Sequence, residues 1–171
     1  MSIRNMFCAF FVAFCVVMPF GQIAKAEPLC SGSAERYIVR MERASEWFDE
    51  VKSIVISEGM SPLWLYLMLS ESGGGKNAAS KHGAVGPWQL TSLIAKSFGC
   101  DDRTDPVKST IAALKYIKKL NKDFKGDMHK VVQAYNMGGT NLKRIGKPTK
   151  EAKALADLVI CLFELDPLEL K

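Results

Sequence analysis

The chain has 171 residues, 48% hydrophobic and 24% charged, enough for one compact domain with a sizeable core and too short for two. Its formal charge of +5 is a mild excess that suits an acidic polymer and is too weak to argue for nucleic acid.

Residues 1–26 read as a secretory signal peptide. Arg4 supplies the charged start, Met6 to Phe20 the apolar run, and Ala24-Lys25-Ala26 the small-x-small cleavage pattern. The apolar run is shorter than the roughly 20 residues a spanning helix needs. The expectation is an exported protein, periplasmic or secreted, starting near Glu27, with no stable membrane anchor after cleavage and a single domain over 27–171. Loss of Arg4 and Lys25 lowers the formal charge from +5 to +3. Cys8, Cys15 and Cys30 follow Phe7, Phe14 and Leu29, so none suits a lipid anchor. Cys30, Cys100 and Cys161 survive processing, and an oxidising compartment allows one disulfide with one thiol left over, the pair staying open. With no CxxC element and with His82 and His129 standing alone, no metal and no cofactor are expected.

Tyr37, Ile38, Met41, Ala44, Trp47, Phe48, Val51, Ile54 and Val55 keep helical spacing, predicting one amphipathic helix stopped by Gly59. Ser61-Pro62 reads as a cap followed by proline, opening a helix over the apolar run Leu63 to Leu69 that carries Glu71 near its end and stops at Gly73-Gly74-Gly75. Residues 73–87 form an ordered loop rich in Gly, Ala, Ser and Asn. A short helix is expected over Trp88 to Phe98, closed by Gly99, and another after Asp105-Pro106, with Ile111, Ala112, Leu114, Tyr116, Ile117 and Leu120. Asp127 opens a further one ending at Tyr135, and Asn136-Met137-Gly138-Gly139 reads as a turn. Thr149 caps the last helix, which Asp166-Pro167 breaks. No strand, repeat or low-complexity tract is evident, so the fold class is all-α.

Glu71 is the residue that points to chemistry. A helix apolar all round is normally buried, and burial raises the pKa of an acid by disfavouring its charged form. Such an acid stays protonated long enough to donate a proton, as cleavage of a glycosidic bond requires. From Ser72 to Cys100 there is no Asp or Glu, so it has no partner nearby in sequence.

Three stretches complete the pattern: Glu71-Ser72-Gly73, the loop Ser80-Lys81-His82-Gly83-Ala84-Val85-Gly86-Pro87-Trp88-Gln89, and Ala134-Tyr135-Asn136-Met137-Gly138. In order and spacing they resemble the lytic transglycosylases with an SLT domain, which cut the glycan strands of bacterial peptidoglycan. Asp102-Arg103-Thr104-Asp105-Pro106 and Ser109 to Leu114 resemble the membrane-bound transglycosylase D branch. The resemblance covers about Ser45 to Leu165 and implies a lysozyme-like domain with a cleft for several sugars. It assigns Glu71 as the catalytic acid, Ser80 and Gln89 as loop residues lining the cleft, and Tyr135 and Asn136 as approaching from the opposite helix.

One acid then serves twice. It protonates the leaving oxygen of a MurNAc-GlcNAc bond and, as carboxylate, deprotonates the MurNAc C6 hydroxyl, closing a 1,6-anhydro ring. Each assignment has a plainer rival: a surface glutamate for Glu71, a core tyrosine for Tyr135, a buried amide for Gln89, turn chemistry for Ser80. Trp88 stands as a sugar-stacking candidate, although an aromatic residue at such spacing is more often core. A phenol at position 135 aimed at the carboxyl would hold it and tune its pKa. Gly74 and Gly75 depart from the bulkier and polar residues usual there, and Thr91 and Met137 depart near the sugar subsites. The partner implied is the peptidoglycan glycan strand, and the small size suggests service to a secretion, pilus or conjugation apparatus. The alternatives are a goose-type peptidoglycan hydrolase and a glycan-binding or assembly protein that has lost turnover.

Overall fold

The structure, a computed structural model, describes residues 31–166 with Leu168 and Leu170. Residues 1–26, read above as a signal peptide, and Cys30 lie outside the described residues. The described residues form eight helices, α1 (Ser31–Arg43), α2 (Ser45–Ser57), α3 (Leu63–Ser72), α4 (Ser92–Phe98), α5 (Pro106–Asp123), α6 (Met128–Met137), α7 (Gly139–Ile145) and α8 (Lys150–Leu165). The only strand-like pairings among them are isolated bridges, Ala79 with Val85 and Val85 with Leu90, so the all-α expectation holds.

Helix α3 runs through the centre because it has no polar face. Leu63 through Leu69 are all 3% exposed or less, and α1, α2 and α8 pack around it. The Leu63 N–H is met by Ser61 Oγ at 3.2 Å, and Gly73 ends the helix in the left-handed region at φ 62, which glycine adopts without steric cost. The caps read from the sequence are present. Asp105 accepts from the amides of Val107 and Lys108 at 2.9 and 3.0 Å, Asp127 from Lys130 at 3.1 Å, and Thr149 from Ala152 at 3.1 Å.

Three boundaries differ from the sequence expectations. The first amphipathic stretch is two helices, α1 and α2, because the chain turns at buried Ala44, whose N–H is shared between the carbonyls of Arg40 and Met41 at 3.2 and 3.0 Å. The segment Trp88 to Leu90 is not helical. Leu90 exchanges both backbone hydrogen bonds with Val85 at 3.1 Å, and α4 starts only after Thr91, whose side chain accepts from Ile94. Finally, α6 continues through Asn136 to Met137, and Gly138, at φ 86, pivots the chain directly into α7, a helix the sequence reading missed.

Cys161 is disulfide-bonded, with its partner outside the described residues, whereas Cys100 is buried and free. This agrees with one bridge and one leftover thiol. Alkylation followed by peptide mapping is expected to spare Cys100 in the folded protein, modify it in denatured unreduced protein, and reach Cys161 only after reduction. Modification of Cys161 without reductant would contradict the bridge.

Candidate functional site

Glu71 sits in the last turn of α3, where the apolar helix meets a cleft of about 270 Å³. The cleft is lined from four directions: Glu71 from α3; Ser80, His82 and Gln89 from the loop; Tyr116 and Tyr135 from α5 and α6 with Asn136; and Glu151 from the first turn of α8. Five of the six residues singled out in the sequence are therefore brought together. Trp88 is not among the lining residues. It is fully buried and donates its indole N–H to Thr110 Oγ1 at 2.8 Å, so it presents no face to a sugar and instead anchors the loop from beneath.

Oε1 of Glu71 is buried and has no hydrogen-bond partner among the described residues. Burial pushes the Glu71 pKa up to about 7; the Asn136 side chain opposes this by favouring the carboxylate, and the like charge of Glu151 adds to it. The carboxyl group thus lies close to half-protonated at neutral pH, the condition that suits a group acting as both acid and base. Glu151 is a second carboxylate that the sequence reading missed. It is 80 residues from Glu71 in the chain, and its only local signal was its place two residues after the Thr149 cap.

Tyr135 differs in detail from the expectation. Its hydroxyl donates to the Trp88 carbonyl at 2.8 Å rather than to Glu71. Burial first and the Glu71 charge second raise its pKa well above the usual phenol range, so it remains a hydrogen-bond donor. Through Trp88 it ties α6 to the loop.

The loop owes its shape to several such ties. Gln89 has φ 47, a region costly for a residue with a side chain. Its amide nitrogen donates to the carbonyls of Ala78 and Gly86, both at 2.9 Å. Ser80 Oγ accepts from the amides of His82 and Ala84 at 3.2 and 3.1 Å, so its turn role and its place on the cleft coexist. Arg103 grips the loop from behind, donating to the carbonyls of Gly83 and Leu90 at 2.8 and 3.0 Å. Its own carbonyl lies 1.7 Å from where a Cβ on Gly86 would stand, so only glycine fits there. Among the described residues no three His, Cys, Asp or Glu side chains are grouped to hold a metal.

A family model described as Transglycosylase SLT domain matches residues 52–157. The chain is 39% identical over 102 residues to a protein of Alteromonas sp. (strain M-1) named for tributyltin chloride resistance, covering 55% of this chain and 49% of that protein. It is 35% identical over 96 residues to membrane-bound lytic murein transglycosylase D of Escherichia coli (strain K12), covering 52% of this chain and 21% of that protein. Over 111 residues it is 30% identical to a transglycosylase of Enterobacteria phage PRD1, covering 64% and 41%. The chain spans half or less of the length of these relatives.

The buried carboxyl makes stability pH-dependent. The folded protein keeps the Glu71 proton up to about pH 7, whereas an unperturbed glutamate releases it near 4.5. Between these values the folded state holds more protons than the unfolded state, so stability falls as pH rises, by about 3 kcal/mol in all. Glu71→Gln has no charge to bury. In urea unfolding it is expected to match wild type below pH 4.5 and to be the more stable protein, by up to about 3 kcal/mol, near pH 8. An equal difference at both pH values would show that the carboxylate carries no burial cost.

Proposed function

The chain belongs to the transglycosylase SLT domain family, and on that premise we propose that it is a peptidoglycan lytic transglycosylase. It would cleave the MurNAc-GlcNAc β-1,4 bond and leave a 1,6-anhydroMurNAc end. The observation that carries this reading is the Glu71 carboxyl: buried, with one oxygen free of hydrogen-bond partners among the described residues and a pKa of about 7, at the edge of a cleft where all three motifs meet.

In the first step protonated Glu71 gives its proton to the glycosidic oxygen as the bond to the MurNAc C1 breaks. The departing GlcNAc leaves with that proton as a hydroxyl, and positive charge develops on the MurNAc ring. In the second step the Glu71 carboxylate takes the proton from the MurNAc C6 hydroxyl while O6 bonds to C1. The acid is regenerated and no water is consumed. The substrate's own N-acetyl group can share the developing charge, so a second protein carboxylate is not needed as nucleophile. Asn136 favours the charged form, which stabilises the carboxylate left when Glu71 gives up its proton in the first step.

Glu151 supports a second reading. A further carboxylate on the same cleft is what a hydrolase needs to activate water, as in the goose-type lysozyme alternative. A glycan-binding protein without turnover is disfavoured, because binding gives no reason to keep a buried acid with a raised pKa. Export is supported by the leader pattern of residues 1–26 and by the disulfide at Cys161, since bridges persist in oxidising compartments. No helix among the described residues is long and apolar enough to cross a membrane. Under this proposal the substrate is the glycan strand of the wall, opened locally for a secretion, pilus or conjugation apparatus.

Digestion of purified peptidoglycan followed by mass spectrometry is expected to yield muropeptides ending in 1,6-anhydroMurNAc, lighter by one water than hydrolytic products. Glu71→Gln should lower turnover by roughly 10²–10⁴-fold, the usual cost of losing a general acid or base, while strand binding survives. Tyr135→Phe should be milder, since it loosens the Trp88 carbonyl and leaves the acid in place. Reducing MurNAc ends from wild type would move the protein to the hydrolase reading, and full activity in Glu71→Gln would overturn the assignment of Glu71 as the acid in both enzyme readings.

A further inference from the structure

We propose that α1 is a positioning element of the cleft, in which Arg40 holds the last turn of α3, and with it Glu71, by capping the carbonyl of Leu69. The proposal rests on the enzymatic reading above for its kinetic consequence, although its geometry does not. Helix α1 (Ser31–Arg43) lies wholly outside residues 52–157, the span matched by the family.

Three contacts from α1 bracket Glu71. Arg40 Nη1 donates to the Leu69 carbonyl at 3.2 Å, the same oxygen that accepts the Gly73 N–H at 3.1 Å. The hydroxyls of Tyr37 and Ser70 are hydrogen-bonded. Ser70 Oγ donates its own hydrogen to the Tyr66 carbonyl at 2.7 Å, so Tyr37 is the donor of that pair. The Arg40 guanidinium stacks over the Tyr37 ring at 4.6 Å, which joins the two contacts into one unit. On the far side of Glu71, Gly74 at φ +83 fits directly against the backbone of Arg40, whose carbonyl oxygen lies 2.0 Å from where a Cβ would stand. Gly74 also donates its N–H to Ser72 Oγ at 3.2 Å.

The Leu69 carbonyl accepts the bond that closes the helix at Gly73; a last turn frays where such terminal bonds open, and a second donor on that oxygen holds the turn shut. Here the fraying segment would be the one bearing the acid. Of the two glycines that depart from the bulkier and polar residues usual there, Gly74 is thus the seat for α1, and the order that a bulkier residue would supply locally comes from another helix. If the turn opens, water reaches the carboxyl and the cause of its raised pKa weakens. The titratable and charged groups facing Glu71 from the other elements are Glu151 on α8, Tyr135 on α6, Tyr116 on α5 and His82 in the loop, and substitution of Arg40 leaves all of them unchanged.

The test is the pH profile of Arg40→Ala beside Arg40→Lys and a remote core truncation, Val55→Ala. A general acid loses activity as pH rises through its pKa, so Arg40→Ala should lower kcat about tenfold with little change in KM, and should move the alkaline limb to lower pH. Arg40→Lys, whose ammonium also reaches a carbonyl, should recover most of both. Val55→Ala should lower the thermal midpoint without moving the limb. An Arg40→Ala enzyme with an unmoved alkaline limb, or a loss no greater than that of Val55→Ala at matched stability, would overturn the proposal. Should wild type cleave nothing, the enzymatic reading fails and amide hydrogen exchange decides this one. Faster exchange in Arg40→Ala confined to Glu71, Ser72 and Gly73 supports the clamp, and unchanged or uniformly faster exchange refutes it.

Discussion

An ionisable group held where its charge is not solvated is the constraint on which the rest of this structure depends. Glu71 stands at the end of a helix whose seven preceding apolar residues are all buried, and one of its oxygens has no hydrogen-bond partner among the described residues. A carboxylate in a helix's last turn also faces the partial negative charge of the free carbonyls. A protein gains nothing in stability from such an arrangement. It persists only because the surrounding helices overdetermine the position of α3, with α8 on one side and α1 and α2 on others.

The opposite wall solves a different problem. A loop of small residues must present side chains to a cleft without collapsing into it, and it does so by being fastened from behind. Arg103 holds two of its carbonyls, Gln89 bends back on two more, and Trp88 is pinned between Thr110 and Tyr135. These ties spend polar side chains on backbone rather than on substrate. The result is a loop whose geometry is set in advance of any ligand, which is what the proposed catalysis requires.

Local signals carried much of the fold. Asp105, Asp127 and Thr149 announced their helices through short-range side-chain bonds to backbone, and the apolar run into Glu71 announced both a buried helix and its unusual acid. What failed were features decided by distant contacts. The Trp88 indole reads as either core or sugar platform until Thr110, 22 residues on, accepts its N–H. Periodicity runs unbroken across Ala44, where the chain nevertheless turns, and α7 is too short to carry a period of its own. The aim of the Tyr135 hydroxyl, the arrival of Glu151 and the seating of Gly74 on Arg40 all join residues far apart in sequence, so no window of residues contained them.

The ionisation of Glu71 in the folded protein, on which the proposed chemistry depends, can be observed without substrate. Carboxyl carbon NMR titration of protein labelled at glutamate, with the resonance assigned by its absence in Glu71→Gln, measures it directly. A midpoint near 7 is expected. A midpoint near 4.5, the ordinary glutamate value, would mean that the carboxyl is solvated and that the cleft does not hold a poised acid.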